Sequence, residues 1–147
     1  MVQAHTTDPT SPNAIVTHVQ GVPITRRSFH RLQPNVWLDD DVINAYSRLL
    51  LARERRLANM DPNANPTSHI FSTFFYQKLL DPHNRDASLA NQYSYDAVRR
   101  WGRTSPSRDL FRLRLLLIPV NIGASYWICV EIDFPARNIH HARNHGL

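Results

Sequence analysis

The sequence has 147 residues, of which 42% are hydrophobic, and a formal net charge of +5 at pH 7. This length allows one domain with a core but hardly two, and the hydrophobic fraction is that of a globular chain, not a disordered one. No apolar run approaches the roughly 20 residues of a membrane span, and no secretory signal opens the chain. The single cysteine, Cys129, excludes an internal disulfide framework. The composition predicts a soluble intracellular domain.

Arginine supplies nearly all of the positive charge, because Lys78 is the only lysine. The arginines occur in scattered pairs, at 26–27, 55–56 and 99–100, and do not form one dense run. A solvated surface is therefore the favoured interpretation, and a nucleic-acid partner is the less favoured alternative.

The first 20 residues are polar, contain Pro9 and Pro12, and show no periodicity. They are predicted to be a disordered leader before an ordered domain over residues 21–139. The segment "LDDDVINAYSRLLLARERRLA" then predicts a helix that Asp39 or Asp40 can cap. Its apolar residues recur at spacings of three, four and seven and form one face: Val42, Ile43, Tyr46, Leu49, Leu50 and Leu57.

The second half of the sequence predicts two short helices followed by strands. "SHIFSTFFYQKLL" is interpreted as a buried helix, and "YSYDAVRRWGR" as a second one that ends at Gly102, with Trp101 in the core. "LFRLRLLLIPVN" and "YWICVEIDF" predict strands, and Ile139 could open a third. Helices followed by strands indicate an α+β fold.

Four segments, taken together, resemble one protein family over about residues 22–139. They are "VWLDDDVINAYSRLL", "IFSTFFYQKL", "YDAVRRWGR" with the following "DLF", and "LLLIPVNIGASYWICVEIDF". The family is that of the ubiquitin-like-protein-specific (SUMO/sentrin-type) cysteine proteases, whose signature Trp-Leu-Asn-Asp-Glu-x-Ile-Asn the first segment resembles. Four motifs in the same order are far more specific than one.

The resemblance implies a papain-like α+β fold that cleaves after the Gly-Gly end of a ubiquitin-like modifier. The implied mechanism is acyl transfer by Cys, His and Asp, with a Gln that helps to bind the oxyanion. It implies no cofactor and no metal, a SUMO-type modifier or its conjugates as the partner, no membrane, and residence in the nucleus or the cytoplasm.

The catalytic residues implied by the resemblance are not found in this sequence. Tyr126 stands where the family has its His, and a phenol keeps its proton at neutral pH. Arg143 falls near the place of the Asp, and the Cys and Gln segment would lie beyond residue 147. The expectation is therefore a family domain truncated before the nucleophile segment, with residues 140–147 as a non-family tail, inactive as given.

No other residue is expected to replace the missing groups. Cys129, inside a predicted strand, is interpreted as a small, half-buried hydrophobic residue and not as a nucleophile. The histidines at 140, 141 and 145 lie in the predicted tail without a cysteine or carboxylate nearby, which disfavours a metal site. His30 is interpreted as a surface residue.

The binding residues implied by the resemblance are retained. Two family tryptophans enclose the Gly-Gly tail of the modifier, and their matches are Trp37 and Trp127; only glycine is small enough to pass between two indoles. Asp40 matches the family aspartate that contacts a basic residue of the modifier. For Trp37, a core anchor at the helix start is the alternative. A non-catalytic binder of a modifier and a nucleic-acid-binding protein remain as alternative functions.

Overall fold

A computed structural model describes residues 10–61, 67–80 and 93–143 of the chain. The strands are β1 Ile15–Val19, β2 Val22–Thr25, β3 Ser68–Ile70, β4 Leu115–Ile122, β5 Tyr126–Asp133 and β6 Asn138–Arg143. The α-helices are α1 Arg26–His30, α2 Asp40–Met60, α3 Phe74–Leu80 and α4 Tyr95–Val98, and two 3₁₀ turns cover Trp101–Thr104 and Leu110–Arg112. No helix in these three ranges is long and apolar enough to cross a membrane.

The chain divides into two compact units, residues 1–49 and 50–147, so that the division falls inside α2. The single domain over residues 21–139 that the sequence predicts stays a prediction. The two ends of α2 form side-chain hydrogen bonds with different segments of the chain, in agreement with this division. In the first unit, Ser28 donates to the Asp41 carboxylate over 3.2 Å. In the second unit, Glu54 accepts from the backbone N–H groups of Thr67 and Ser68, each over 2.9 Å.

The first unit contains an antiparallel hairpin of β1 and β2 followed by α1. Gln20 and Gly21 connect the strands, both at positive φ (48° and 80°), which is the backbone that a tight two-residue hairpin requires. The prediction of a disordered leader over residues 1–20 is therefore wrong for Ile15–Val19. The β-branched residues of this strand and the Gln-Gly turn explain the difference. Residues 1–9 lie outside the described residues.

The predicted helix over "LDDDVINAYSRLLLARERRLA" is confirmed as α2. Asp39 caps it, since its Oδ1 accepts from the Val42 N–H over 3.1 Å. The predicted apolar face is only partly buried: Val42 is in the core, but Tyr46 and Leu57 are mostly exposed. The buried residues of the helix are Val42, Ala45 and Ser47. Two of these are small residues that do not belong to the predicted apolar face.

The second unit is built on a four-stranded sheet in the order β3-β4-β5-β6. β3 runs parallel to β4, and the other neighbours are antiparallel. Alternate residues of β4 form the core with Phe71: Leu116, Ile118 and Val120. On β5, Ile128, Val130 and Ile132 share one face and pack against this core.

Three details of the second half differ from the sequence prediction. The segment "SHIFSTFFYQKLL" contains β3 before the helix, and α3 begins only at Phe74 and buries none of its residues completely. The third strand is confirmed as β6, but it continues to Arg143. The predicted tail, residues 140–147, is therefore part of the sheet as far as residue 143, because the backbone of residues 140–143 pairs with β5. Residues 144–147 lie outside the described part.

Candidate functional site

Trp37 lies in the segment that leads into α2, in the first unit. Asn35 adopts a left-handed backbone conformation (φ 62°) two residues earlier, which turns the chain before the tryptophan. The indole is 58% exposed. The alternative that Trp37 anchors the core at the helix start is therefore wrong. An indole this exposed leaves apolar surface in water, which is a common property of binding sites.

Three successive aspartates follow Trp37, and two of them have hydrogen-bond partners within the unit. Asp39 caps α2 through the N–H of Val42, and Asp41 accepts from the buried Ser28 hydroxyl. The carboxylate of Asp40 forms no hydrogen bond or ion pair within residues 10–61, 67–80 and 93–143. Partial burial raises the pKa of the Asp40 carboxyl, and the charges of Asp39 and Asp41 raise it further. A cation beside Asp40 would relieve this repulsion.

Tyr126 and Trp127 open β5 in the second unit. A turn over residues 123–125 precedes them, with Gly123 and Ala124 both at positive φ, and Tyr126 pairs with Ile122 across it. Tyr126 is 38% exposed, and Trp127 is partly buried. Because side chains alternate along a strand, Trp127 lies on the opposite face from the core residues Ile128 and Val130. Trp127 therefore belongs to the face of the sheet that does not form this core.

The predicted site residues thus fall into two groups. Trp37 and Asp40 lie at the start of α2 in the first unit, three residues apart in the sequence. Tyr126 and Trp127 are adjacent residues at the start of β5 in the second unit. Arg143, near the place that the resemblance gives to the family Asp, ends β6 opposite Ile128 of β5. The backbone therefore brings the Tyr126 and Arg143 positions onto adjacent strands.

Cys129 lies inside β5, opposite Pro119 of β4. Its side chain is half-buried, as predicted. Burial raises the pKa of the thiol above its ordinary value. A thiol with a raised pKa holds little of the thiolate that acts as nucleophile at neutral pH.

The histidines do not form a metal site in the described part of the chain. His140 and His141 are exposed on β6, opposite Glu131 and Val130, and His145 lies outside the described residues. No group of three His, Cys, Asp or Glu side chains that could hold a metal ion occurs in the described ranges. His30 is exposed on α1.

Sequence analysis missed one feature of the first unit, a basic cleft beside α1. The available signal was the density of basic residues in "RRSFHR", four within the six residues 26–31. The sequence prediction instead assigns the Arg26–Arg27 pair and His30 separately to a solvated surface.

Comparison with known proteins gives a family match over most of the chain. The family described as "Ulp1 protease family, C-terminal catalytic domain" matches residues 36–142. The match extends three residues beyond the predicted domain end at 139, in agreement with the longer β6.

Similar proteins include Ubiquitin-like-specific protease 1A of Arabidopsis thaliana, with 35% identity over 122 residues. The alignment covers 80% of this chain and 22% of the relative. Sentrin-specific protease 2 of Mus musculus is 32% identical over 122 residues, which are 83% of this chain and 17% of the relative. The chain therefore spans about a fifth of the length of these two relatives.

Solved structures share the fold. The C-terminal Ulp1 protease domain in complex with Smt3, the yeast ortholog of SUMO, aligns with a TM-score of 0.64 and 22% identity, over 94% of this chain and 53% of that one. The SUMO protease Ulp1 with its catalytic cysteine oxidised to a sulfenic acid gives a TM-score of 0.57 at 23% identity, over 86% and 48%. The predicted α+β fold of the SUMO-protease type is confirmed.

Proposed function

The chain belongs to the Ulp1 protease family, and we propose that it recognises the Gly-Gly end of a SUMO-type modifier through Trp37, Asp40 and Trp127. The family is one of deSUMOylating cysteine peptidases, and this proposal assigns to the 147 residues the recognition part of that activity. The observation that carries it is the exposed indole of Trp37 three residues before the unpartnered carboxylate of Asp40.

The exposed indole of Trp37 suits an extended glycine tail. Glycine has no side chain, so its backbone can lie flat against an aromatic face where any other residue would be held away. Trp127 lies on the side of β5 that does not form the core, and it is included in the proposal because it matches the second tryptophan of the family motif. Main-chain hydrogen bonds and stacking would then both contribute to binding of the glycine tail.

Asp40 supplies the charge that selects the partner. Its raised pKa reflects a carboxylate that is short of favourable contacts in the unbound chain. A basic side chain of the modifier placed beside it would form an ion pair and lower that pKa again. Charge complementarity of this kind favours the correct partner over others.

Binding without cleavage is proposed for these 147 residues on their own. The only thiol, Cys129, has a raised pKa inside a strand, and a phenol stands at Tyr126 instead of an imidazole. A fluorogenic modifier conjugate incubated with the chain is expected to show no turnover above buffer. Turnover that disappears in Cys129→Ser would contradict this assignment.

The binding proposal is tested by isothermal titration of the chain with a SUMO-type modifier, intact or without its Gly-Gly end. The intact modifier is expected to bind, and the shortened one to bind about tenfold more weakly or not at all, because the proposed aromatic contacts need the tail. Trp37→Ala is expected to weaken binding of the intact modifier by a similar factor. Absence of heat at high micromolar concentrations would refute the proposal.

Matched controls separate these contacts from general effects. Phe111→Ala removes an aromatic ring that is 85% exposed and outside the proposed site, so it should leave the affinity unchanged. Asp40→Asn should weaken binding, whereas Asp96→Asn removes an exposed carboxylate of α4 and should not. Equal losses in Asp40→Asn and Asp96→Asn would mean that only the net charge matters.

A further inference from the structure

The first unit contains an open cleft of about 430 Å³ beside α1. This volume lies within the roughly 300–1,000 Å³ of small-molecule sites. Its lining is Pro12, Arg26, Arg27, His30, Arg31 and Val36. Four of these six residues are basic and none is acidic, so the cleft offers positive charge between two apolar walls.

Backbone hydrogen bonds fix the shape of the cleft. The N–H of Arg27 donates to the Pro12 carbonyl and that of Arg26 to the Ala14 carbonyl, each over 2.9 Å. Thr25 caps α1 by accepting from the Ser28 N–H over 3.1 Å. These bonds hold the backbone of Pro12 next to the start of α1, on one side of the cleft.

Two of the basic side chains of the cleft, Arg27 and Arg31, have no acidic partner among the described residues. Arg27 and Arg31 are four residues apart, the spacing at which like charges on a helix repel. Neither forms an ion pair with any described residue. Of the three aspartates at the start of α2, Asp39 and Asp41 already accept from Val42 and Ser28, and Asp40 does not line the cleft. An anion in the cleft would turn this repulsion into attraction.

His30 adds a hydrogen-bond donor to the arginines. Its Nδ1 lies 3.4 Å from the amide nitrogen of Gln33. When Nδ1 accepts from this amide, the other ring nitrogen, Nε2, carries a proton that it can donate to a ligand.

We propose that this cleft binds a small ligand that carries two or more phosphate groups. Guanidinium groups match phosphate oxygens with paired N–H donors, and Arg27 and Arg31 provide two such groups without a described acidic partner. A soluble polyphosphate and the phosphorylated headgroup of a lipid share this chemistry. Trp37 and Asp40 do not line the cleft, so the site is separate from the proposed modifier contacts.

The test is isothermal titration of the full chain with inorganic pyrophosphate at low salt. Pyrophosphate is expected to bind, and Arg27→Gln with Arg31→Gln is expected to weaken it by about tenfold or more, since each removes charge-assisted hydrogen bonds. The matched control is Arg53→Gln with Arg56→Gln, which removes the same charge from exposed positions of α2 and should change the affinity by less than about twofold. Circular dichroism verifies folding, and the single variant Arg31→Gln replaces the double variant if the latter does not fold.

Vesicles distinguish the two sources of phosphate. Competition with pyrophosphate by phosphatidylinositol bisphosphate in phosphatidylcholine vesicles, but not by phosphatidylcholine alone, assigns the cleft to a lipid headgroup. Absence of competition assigns it to a soluble ligand. The proposal is overturned if pyrophosphate gives no heat at millimolar concentration, or if the two double variants lose affinity equally. Trp37→Ala should retain pyrophosphate binding, so failure of the modifier proposal would not affect this result.

Discussion

At the scale of single residues, the three tryptophans have different surroundings although the sequence presents them alike. Trp101 packs edge-on against Phe71 and Phe75, with ring centroids 5.8 and 5.3 Å away, which confirms its predicted place in the core. Trp37 is mostly exposed, and Trp127 is partly buried on β5. Exposure thus separates a tryptophan that stabilises the fold from one that is available to a partner.

Asp40→Asn should stabilise the chain while it weakens modifier binding. The raised pKa means that the ionised carboxylate is disfavoured in the folded state. This ionisation does not reduce the stability of the fold when the pH is below the pKa of Asp40 in the unfolded chain. The loss of stability grows as the pH rises through the pKa of the folded chain, and it is complete at neutral pH. We expect a slightly higher melting temperature for Asp40→Asn at pH 7 and no difference near pH 3.

The control for this prediction is Asp39→Asn, which changes the neighbouring residue that caps α2 and should lower the melting temperature. A lower melting temperature for Asp40→Asn at pH 7 would show that its charge stabilises the helix start, and would contradict the interpretation of the raised pKa.

His69 should make the folded state sensitive to acid. The ring is only 4% exposed; its Nε2 lies 3.1 Å from the Thr104 hydroxyl, which donates to the Trp101 carbonyl, and its Nδ1 has no partner within the described residues. Burial lowers the pKa of His69, the charge of Arg55 lowers it further, and Glu54 opposes the shift.

As the pH decreases, the His69 ring of the unfolded chain is therefore protonated at a higher pH than that of the folded chain. The free energy of unfolding falls as the pH decreases below about 6.5. The contribution of His69 is at most about 1.4 kcal/mol per pH unit. Urea unfolding of the wild type from pH 7.5 to 5 should show this loss, and His69→Gln should show a flatter profile. His18→Gln, at an exposed position, should follow the wild type; identical profiles for His69→Gln and the wild type would exclude His69 as the cause.

At the scale of secondary-structure elements, one side chain of α2 holds the chain at the start of β3. The Glu54 carboxylate accepts from the N–H groups of Thr67 and Ser68 and from the Ser68 hydroxyl. The carbonyl of Thr67 in turn accepts from the N–H groups of Arg114 and Leu115. The helix, the short parallel strand β3 and the start of β4 are thus connected through one two-residue segment.

Glu54→Ala should destabilise the chain by about 2–3 kcal/mol, because it leaves these donors without their charged acceptor. Glu54→Gln keeps one carbonyl oxygen and should cost about 1 kcal/mol. The measurement is the free energy of unfolding in urea. Asp96→Asn, at an exposed surface carboxylate, is the control and should stay within about 0.5 kcal/mol; a similar small effect of Glu54→Ala would show that solvent replaces the carboxylate.

At the scale of the whole molecule, the net charge of +5 does not by itself indicate a nucleic-acid partner. The described arginines are distributed over α1, α2, β6, the two 3₁₀ turns and the segments that connect these elements. Duplex binding depends on many phosphate contacts along one surface. A gel-shift assay with a random duplex should therefore show no complex at about 0.15 M salt. A complex that persists there would favour the alternative of a nucleic-acid-binding protein.

Much of the fold could be predicted because it depends on local patterns. The spacing of Val42 and its apolar neighbours predicted α2, and the alternation in "YWICVEIDF" predicted the strand β5. β3 could not be predicted in this way. It has three residues, lies inside an aromatic-rich segment, and exists because β4, more than 40 residues later, offers backbone partners.

The sequence by itself determined the family, the fold class and the identity of the candidate residues, because motif residues, helix periodicity and strand alternation are local properties of the chain. Tertiary structure alone decided which of these residues are accessible. It exposed Trp37, left Asp40 without a partner beside two bonded aspartates, and raised the pKa of the Cys129 thiol. It also gathered Pro12, the basic residues of α1 and Val36 around one cleft. Burial and charge proximity depend on residues that are distant in the sequence, and only folding brings those residues together.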